Sequence, residues 1–299
     1  MPRHNRSFYK SIMNYDYLIC GLRVRFIVPW AVKISDESRP FLIASETPGQ
    51  VDLTVRFSAV DSLDTPDAGG AWSVNSYFLT KDGQHRIWHY PVRNDSPYCC
   101  VIWNQTSADT VICRYVRGRE DQIAYTRNLL ELLGLECFLL QFDALILHAS
   151  LVKWEGRGIL FCAPSGTGKS TQAALWTQYI GSQTLNGDRA GIRCDGGVWN
   201  AWGLPFAGTS GIYCNESVPI KAVVLLSQGS ENAISSVGAL SAFKRMLPEC
   251  SAQRWDAGFM DRLVNILSAL SSSVPVFELK CRADYGAVQL LADTICKEG

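Results

Sequence analysis

The sequence predicts an α/β protein with a mixed sheet, preceded by a small β-rich N-terminal unit. Short β-prone runs broken by turn residues occupy residues 1–118. A segment of helical periodicity follows at 119–143. Apolar strand-like runs then alternate with helical segments over 144–299, which is the pattern of a layered α/β domain. These three ranges are the predicted parts of the chain: N-terminal unit, helical connection and main domain.

The composition is that of an ordinary globular protein. The 299 residues are 47% hydrophobic and 19% charged, with a formal net charge of zero. This charge gives no reason to expect a nucleic-acid partner. No run of 18 apolar residues occurs, and no apolar segment follows the basic start at 1–6, so neither a membrane span nor a signal peptide is expected. We therefore expect a cytoplasmic protein with no membrane partner.

Eleven cysteines are scattered along the chain, without a C-x-x-C pair and with only four histidines to accompany them. This spacing disfavours a zinc site. Most of the cysteines lie in apolar runs, so we expect buried, reduced thiols that pack as small hydrophobes. Cys162, in the apolar run before the glycine-rich turn, is expected in the core.

The N-terminal unit is predicted to hold six strands with turn residues between them. The strands are expected at Tyr17–Val28, Val51–Phe57, Ala71–Leu79, Arg86–Val92, Tyr98–Trp103 and Thr110–Tyr115. Turn chemistry marks 61–70, 81–83 and 94–97. Aromatic residues alternate roughly with polar ones, which favours the core of a half-buried sheet over a substrate-docking face.

Helices and strands alternate after residue 119. The apolar stripe within 121–141 predicts one or two helices, and Gly134 is expected to break them. Further strands are expected at 144–154, 159–163, 192–202 (a hairpin), 221–227 and 274–281, and helices at 172–180, 240–247, 253–270 and 285–296. The loop at 203–217 is rich in small and polar residues, and loops of that length in a compact domain are usually functional.

A phosphate-binding loop is predicted between the strand at 159–163 and the helix at 172–180. Gly166 and Gly168 allow the backbone to turn with positive φ and to form an anion nest at a helix N-terminus. The motif G-x-x-x-x-G-K-[ST] is matched except at its first glycine, which is Ala163 here. The residues expected to bind ATP are Ser165, Gly166, Thr167, Gly168, Lys169, Ser170 and Thr171. Lys169 would bridge the β- and γ-phosphates, and the Ser170 hydroxyl would ligate Mg²⁺.

An acidic strand end of the kind that usually accompanies such a loop is missing. The best later apolar run, Ala222–Leu226, is followed by Ser227 and Gln228. Mg²⁺ held by a hydroxyl and phosphate oxygens still needs a carboxylate nearby. Asp188, 19 residues after Lys169, is the candidate, either as metal ligand or as general base.

From about Leu145 to Cys296 the chain resembles the HPr kinase/phosphorylase C-terminal domain family, whose core is similar to that of ATP-dependent phosphoenolpyruvate carboxykinase. The matching segments are Leu147–Ser150, Pro164–Thr171, Leu185–Arg189, Gly203–Gly208 and Asn215–Ser217. HPr kinase carries two adjacent aspartates where this chain has Gly187 and Asp188, and its HPr-binding features are not recognisable here. The chain therefore looks like the HPr-kinase-like proteins found beside peptide-modification genes.

The resemblance implies an ATP- and Mg²⁺-dependent kinase. Its acceptor would be a hydroxyl, either Ser or Thr of a peptide or protein or a small-molecule alcohol, and a homo-oligomer is compatible with the family. The resemblance places His148 near the γ-phosphate, where it would stabilise or relay charge. Arg189 would neutralise developing charge or form a surface ion pair.

The expected site residues follow from the motif and the resemblance together. Catalytic roles are expected for Asp188, His148, Lys169 and Arg189, and metal-binding roles for Ser170, Asp188 and Glu216. Asn215 is expected beside Glu216 near substrate or metal, and Thr209 and Ser210 are candidates for the acceptor site.

Two other functions compete with the kinase. An ATP-binding regulatory or assembly module without phosphoryl transfer is favoured by the single acid at Gly187–Asp188. Carboxykinase chemistry on oxaloacetate would need more metal ligands and a cluster of substrate-binding arginines. Detection of a phosphorylated product separates the kinase from the binding module.

Overall fold

The structure is a computed structural model that describes residues 12–73, 75–91, 96–104 and 107–297. It divides into two compact units, Met1–Leu133 and Gly134–Gly299. The basic start of the chain at 1–6 and part of the turn predicted at 94–97 lie outside the described residues. Within the described ranges, no helix is both long and apolar enough to cross a membrane.

The first unit is built on one mixed sheet, which confirms that the N-terminal part is rich in β-structure. Its strands are β1 Met13–Ile19, β2 Leu22–Val28, β3 Leu42–Ile43, β4 Leu53–Val60, β5 Ala71–Ser73, β6 Ser76–Lys81, β7 Gln84–His89, β8 Cys99–Asn104 and β9 Ser107–Val116. The strand order is β3-β1-β2-β4-β9-β8-β7-β6-β5. β4 runs parallel to both of its neighbours, β2 and β9.

Two predicted single strands are hairpins, so those two predictions were wrong. Tyr17–Val28 is split by a tight turn at Cys20 and Gly21, whose φ values are 53° and 74°, the conformation of a two-residue hairpin turn. Ala71–Leu79 is also split, because Ala71 pairs with Phe78 across the sheet. In the first case the turn begins with a cysteine, a residue that gives no turn signal in the sequence.

The predicted helical connection is divided between the two units. A 3₁₀ turn at Glu120–Ile123 leads to α1, Thr126–Leu133, in the first unit, whereas α2, Leu135–Gln141, begins the second. Gly134 separates them with a φ of 65°, so the predicted break at this glycine is confirmed. A left-handed residue ends the helical hydrogen-bond ladder of α1 at that point.

The second unit alternates strands and helices as expected for an α/β domain. Its elements are β10 Ala144–Leu147, β11 Ala149–Trp154, β12 Arg157–Cys162, α3 Lys169–Ile180, β13 Gln183–Asn186, β14 Ala190–Asp195, β15 Val198–Gly203, β16 Ser217–Gln228, β17 Ala233–Ser236, α4 Ala239–Met246, α5 Ala257–Ser273, β18 Val276–Cys281 and α6 Tyr285–Lys297. The strand predicted at 144–154 is two strands, β10 and β11, with His148 between them. They pair with different neighbours, β14 and β12.

The strand before the phosphate loop, β12, lies between two different kinds of neighbour. It is antiparallel to β11, as the predicted hairpin requires, and parallel to β16. β18 is in turn parallel to β16. The carboxyl ends of β12, β16 and β18 therefore meet at one edge of a mixed sheet. Ligands of α/β sheets bind at this kind of edge.

Both faces of β12 are buried, which explains its unbroken apolar sequence. On one face Phe161 packs with Trp176 of α3, with ring centroids 5.9 Å apart, and both side chains are fully buried. On the other face Leu160 and Cys162 join a cluster with residues of α4 and α5, including Leu267. Cys162 is 1% exposed, so its predicted place in the core is confirmed. The phosphate loop thus starts from a strand held on both sides.

Candidate active site

The phosphate loop has the backbone conformation that its glycines predict. Gly166 and Gly168 have φ values of 81° and 115°, and α3 begins directly afterwards at Lys169. Such φ values are unfavourable for residues with a Cβ atom. Ala163, which replaces the first glycine of the motif, is not among the residues with positive φ. The single mismatch with the motif therefore has no steric consequence.

Lys169 is buried and faces its own loop. It is 7% exposed, and its Nζ donates hydrogen bonds to the carbonyl oxygens of Ala163 at 2.7 Å and Pro164 at 3.3 Å. Burial lowers the pKa of Lys169, against the opposing effect of Glu249, Cys162 and Asp188. The ammonium group is thus held by weak, neutral partners, which an anionic phosphate would replace with a stronger, charge-assisted interaction.

The hydroxyl groups that follow Lys169 remain accessible. Ser170 and Thr171 are exposed at the first turn of α3. The Oγ of Ser170 lies 3.5 Å from the carbonyl oxygen of Gly187, at the outer limit of a hydrogen bond. The Oγ of Ser150, which is fully buried, donates to the same oxygen at 2.8 Å. Ser170 is therefore next to the 187–188 turn and free to take another ligand.

His148 lies between two carboxylates. Its Nε2 is 3.4 Å from Oδ1 of Asp188, and its Nδ1 is 3.0 Å from Oε2 of Glu249. Asp188 chiefly, and Glu249 in addition, raise the pKa of His148 above its ordinary value, while burial and Lys169 act against them. The hydrogen bond from His148 is likewise the main reason that the pKa of Asp188 is lowered. The arrangement favours the imidazolium form of His148.

Asn186 fixes the turn that carries Asp188. It is fully buried at the end of β13, and its Oδ1 accepts hydrogen bonds from the backbone N–H groups of Asp188 and Arg189, both at 2.9 Å. Its Nδ2 donates to the carbonyl oxygens of Leu204 and Phe206. One side chain thus ties the 187–189 turn to the start of the loop at 203–217.

Two glycines allow these two segments to interlock. A Cβ atom at Gly187 would lie 2.2 Å from the Oγ of Ser210, and one at Gly208 would lie 2.6 Å from the Cγ of Asp188. Gly208 also has a φ of 54°. The room that a second aspartate would need at position 187 is therefore filled by Ser210, whose Oγ donates to the carbonyl of Ala207 at 2.7 Å.

The remaining predicted site residues divide into two groups. Arg189 stays with the cluster, since its Nε is 3.4 Å from Oδ2 of Asp188 and its guanidinium stacks over Phe206. Glu216, predicted as a metal ligand, lies away from this cluster. It precedes β16 and pairs with Lys153 at 2.9 Å, beside the amino end of β12. The phosphate loop leaves the opposite end of β12, so the structure separates Glu216 and its neighbour Asn215 from the loop.

Glu249 is the functional candidate that the sequence did not reveal. It ends a 3₁₀ turn, Leu247–Glu249, after α4. Its backbone carbonyl accepts the N–H of His148 at 2.9 Å, and Ser251 donates to the carbonyl of Ile146. The segment 249–251 therefore pairs with 146–148 although 101 residues separate Glu249 from His148. No local pattern could have predicted this contact.

The donors available for Mg²⁺ are few. In the part of the chain that the structure describes, no three His, Cys, Asp or Glu side chains are grouped so as to hold a metal ion by themselves. The Ser170 hydroxyl lies 3.5 Å from the carbonyl of Gly187, the residue that precedes Asp188. Mg²⁺ usually takes one or two protein ligands and completes its shell with water and phosphate oxygens. This donor set therefore fits a metal that arrives with a nucleotide.

Comparisons with known proteins give a family match and likenesses to solved structures. The model of a family described as SynChlorMet cassette protein ScmC matches residues 111–287, more than half of the chain. No curated protein matches the sequence. Among solved structures, the chain is similar to the Hpr(Ser) kinase/phosphatase from Coxiella burnetii, with 12% identity and a TM-score of 0.30 over 51% of this chain and 88% of that one. An identity of 12% and a TM-score of 0.30 are both too low to support an inference about activity.

Proposed function

The chain belongs to the ScmC family of SynChlorMet cassette proteins, and for this member we propose an ATP-dependent phosphotransferase activity in the second unit. The acceptor would be a hydroxyl group, either Ser or Thr of a peptide or protein or a small-molecule alcohol. The observation that carries the proposal is the meeting of a phosphate loop with a histidine held between two carboxylates. Lys169, Ser170, His148 and Asp188 all belong to this one cluster.

The residues have distinct roles in the proposed transfer. The acceptor oxygen forms a bond to the γ-phosphorus of ATP, the bond from that phosphorus to the β–γ bridging oxygen breaks, and ADP leaves with the electron pair. The proton of the acceptor passes to Asp188. Lys169, the His148 imidazolium and Arg189 surround the transferred group with positive charge, which stabilises a transition state whose charge is spread over phosphate oxygens.

The Ser170 hydroxyl and Asp188 would hold Mg²⁺, and the ion would supply positive charge that neutralises the charge developing on the phosphates. Asp188 is a weak base, because His148 above all lowers its pKa. A weak base is sufficient for a loose phosphoryl-transfer transition state, in which little proton transfer is needed before the phosphorus–oxygen bond breaks. Orientation of the acceptor hydroxyl is then the larger contribution of Asp188.

One observation favours the alternative, an ATP-binding regulatory or assembly module without transfer. Both oxygens of Asp188 already have a charged partner, His148 at one and Arg189 at the other. The neighbouring position, Gly187, has no space for a second acid because of Ser210. A carboxylate so engaged could serve to hold the turn in place rather than to take a proton.

Transfer of label from γ-labelled ATP separates the two functions. The protein is incubated with Mg²⁺ and a peptide library or lysate, and two variants are run beside it: Lys169→Ala, expected to abolish labelling, and Asp188→Asn, expected to reduce it at least about tenfold. Asp195→Asn is the matched control, since Asp195 is 67% exposed at the β14–β15 turn. ATP binding without labelled product would favour the module, and labelling by Lys169→Ala would refute the phosphate-loop assignment.

A further inference from the structure

A cavity of about 340 Å³ opens on the side of the phosphate loop away from His148 and Asp188. Its wall includes Thr171 and Gln172 of α3, Leu226 of β16 and the segment 281–283. The volume is in the range of small-molecule sites. We propose that this cavity is the nucleoside subsite of the protein and that it holds the base and ribose of ATP. The inference rests on the proposed function, which it extends to the place where the nucleoside binds.

The sheet fixes the side on which this cavity lies. Leu225 of β16 pairs with Cys162, the last residue of β12, and Gln228 pairs with Cys281 of β18. The cavity therefore lies where the parallel strands β16 and β18 end. His148 and Asp188 belong to the other flank, because β11 pairs with β12 on that side and β13 pairs with β11. The phosphate loop lies between the cavity on one flank and the pair His148 and Asp188 on the other.

The loop also gives the direction of the bound phosphates. Backbone N–H groups of such a loop hold the α- and β-phosphates, the Lys side chain reaches the β- and γ-phosphates, and the Ser hydroxyl binds the Mg²⁺ that accompanies them. Ser170 lines a different cavity, together with Gly187 and Ser210. Thr171 lines the proposed nucleoside cavity. A triphosphate with its γ-phosphate near Ser170 and Asp188 would therefore place its α-phosphate near Thr171 and its nucleoside in the cavity.

The lining suits a nucleoside base. Leu226, Cys281 and Ala283 are apolar parts of the wall. Gln172 is 3% exposed, and its Nε2 donates to the carbonyl of Arg282 at 3.3 Å. This hydrogen bond joins α3 to the segment 281–283, two parts of the same wall. Burial of the apolar surface of a base against such a wall is favourable.

Calorimetric titration of the full chain with Mg²⁺-ATP and with Mg²⁺-tripolyphosphate tests the subsite, because tripolyphosphate has the phosphates without the nucleoside. We expect ATP to bind at least about tenfold more tightly, the equivalent of burying one or two apolar groups. Ala283 is exposed, so the fold should tolerate Ala283→Trp, and the indole would fill the cavity. ATP should then bind no better than tripolyphosphate, while the affinity for tripolyphosphate stays unchanged.

Ala257→Trp is the matched control, since Ala257 is exposed at the start of α5 and lies outside the cavity wall. It should behave like the unmodified protein. Equal binding of ATP and tripolyphosphate to the unmodified protein would overturn the subsite and leave the phosphate loop standing. An Ala283→Trp variant that weakens both ligands alike, or neither, would also overturn it. If neither ligand binds the unmodified protein, the proposed function itself fails.

Discussion

The contact between Gly187 and Ser210 makes a prediction that needs no assumption about activity. An added Cβ at position 187 would lie 2.2 Å from the Oγ and 2.4 Å from the Cβ of Ser210. Gly187 is not among the glycines with positive φ, so Gly187→Ala adds a methyl group and no backbone strain. Ser210 would have to move, and its hydrogen bonds with Ala207 and Ile212 would be weakened.

The expected cost is about 1–3 kcal/mol, the usual range for one methylene too many in a packed site. For a unit of this size the cost corresponds to a lower Tm by about 2–12 °C. Removal of the Ser210 side chain should relieve the clash. In the double variant Gly187→Ala/Ser210→Gly, the loss of stability should therefore be smaller than the sum of the losses in the two single variants. Gly187→Ala/Ser210→Ala keeps the Cβ at 210 and should remain destabilised.

Scanning calorimetry of the full chain measures these differences. Leu267→Ala removes a fully buried side chain of the second unit and identifies the transition that belongs to that unit. The reasoning is refuted if Gly187→Ala melts within about 1 °C of the unmodified protein. It is also refuted if Ser210→Ala restores stability as well as Ser210→Gly does, because the clash would then not involve the Cβ atom.

The remaining predictions concern the side chains that position Asp188. In Glu249→Gln the pKa of His148 should fall. A raised pKa of His148 stabilises the fold below the ordinary value of 6.5, and this contribution is lost as the pH rises through the raised value. The loss of stability in the variant should therefore be largest at about pH 6 and should shrink by about pH 9. A pH-independent loss in urea titrations would contradict this. Gly208→Ala should lower stability by about 2–4 kcal/mol, because it combines a φ of 54° with contact to Asp188. Gly211→Ala, with a φ of 66° and open space around it, should lose only about 1–2 kcal/mol, and an equal loss in both variants would refute the contact.

The parts of the fold that the sequence predicted are those whose information is local. The phosphate loop depends on two glycines and a lysine within a few residues, and the structure has the expected positive φ at Gly166 and Gly168. The break at Gly134 is of the same kind. The missed hairpin at Cys20 is the opposite case, since apolar alternation runs through the turn and a cysteine takes a φ of 53° that its residue type does not predict.

The candidate site was predictable only as far as short motifs reach. His148 and Asp188 were identified from segments around them, and the structure places them 3.4 Å apart. Glu249 was missed because only the pairing of 249–251 with 146–148 brings it there. Glu216 was misplaced for a related reason: it stands before a long strand, β16, whose direction carries the chain from Glu216 to the other end of the sheet.

The change of strand direction around β12 also bears on how this protein can diverge. The antiparallel flank carries the residues proposed for chemistry, and the parallel flank carries the cavity proposed for the nucleoside. Substitutions on opposite flanks have few shared neighbours, and their effects should be close to additive. A descendant of this protein could therefore exchange one acceptor for another through the loop at 203–217 while its nucleoside cavity is inherited unchanged.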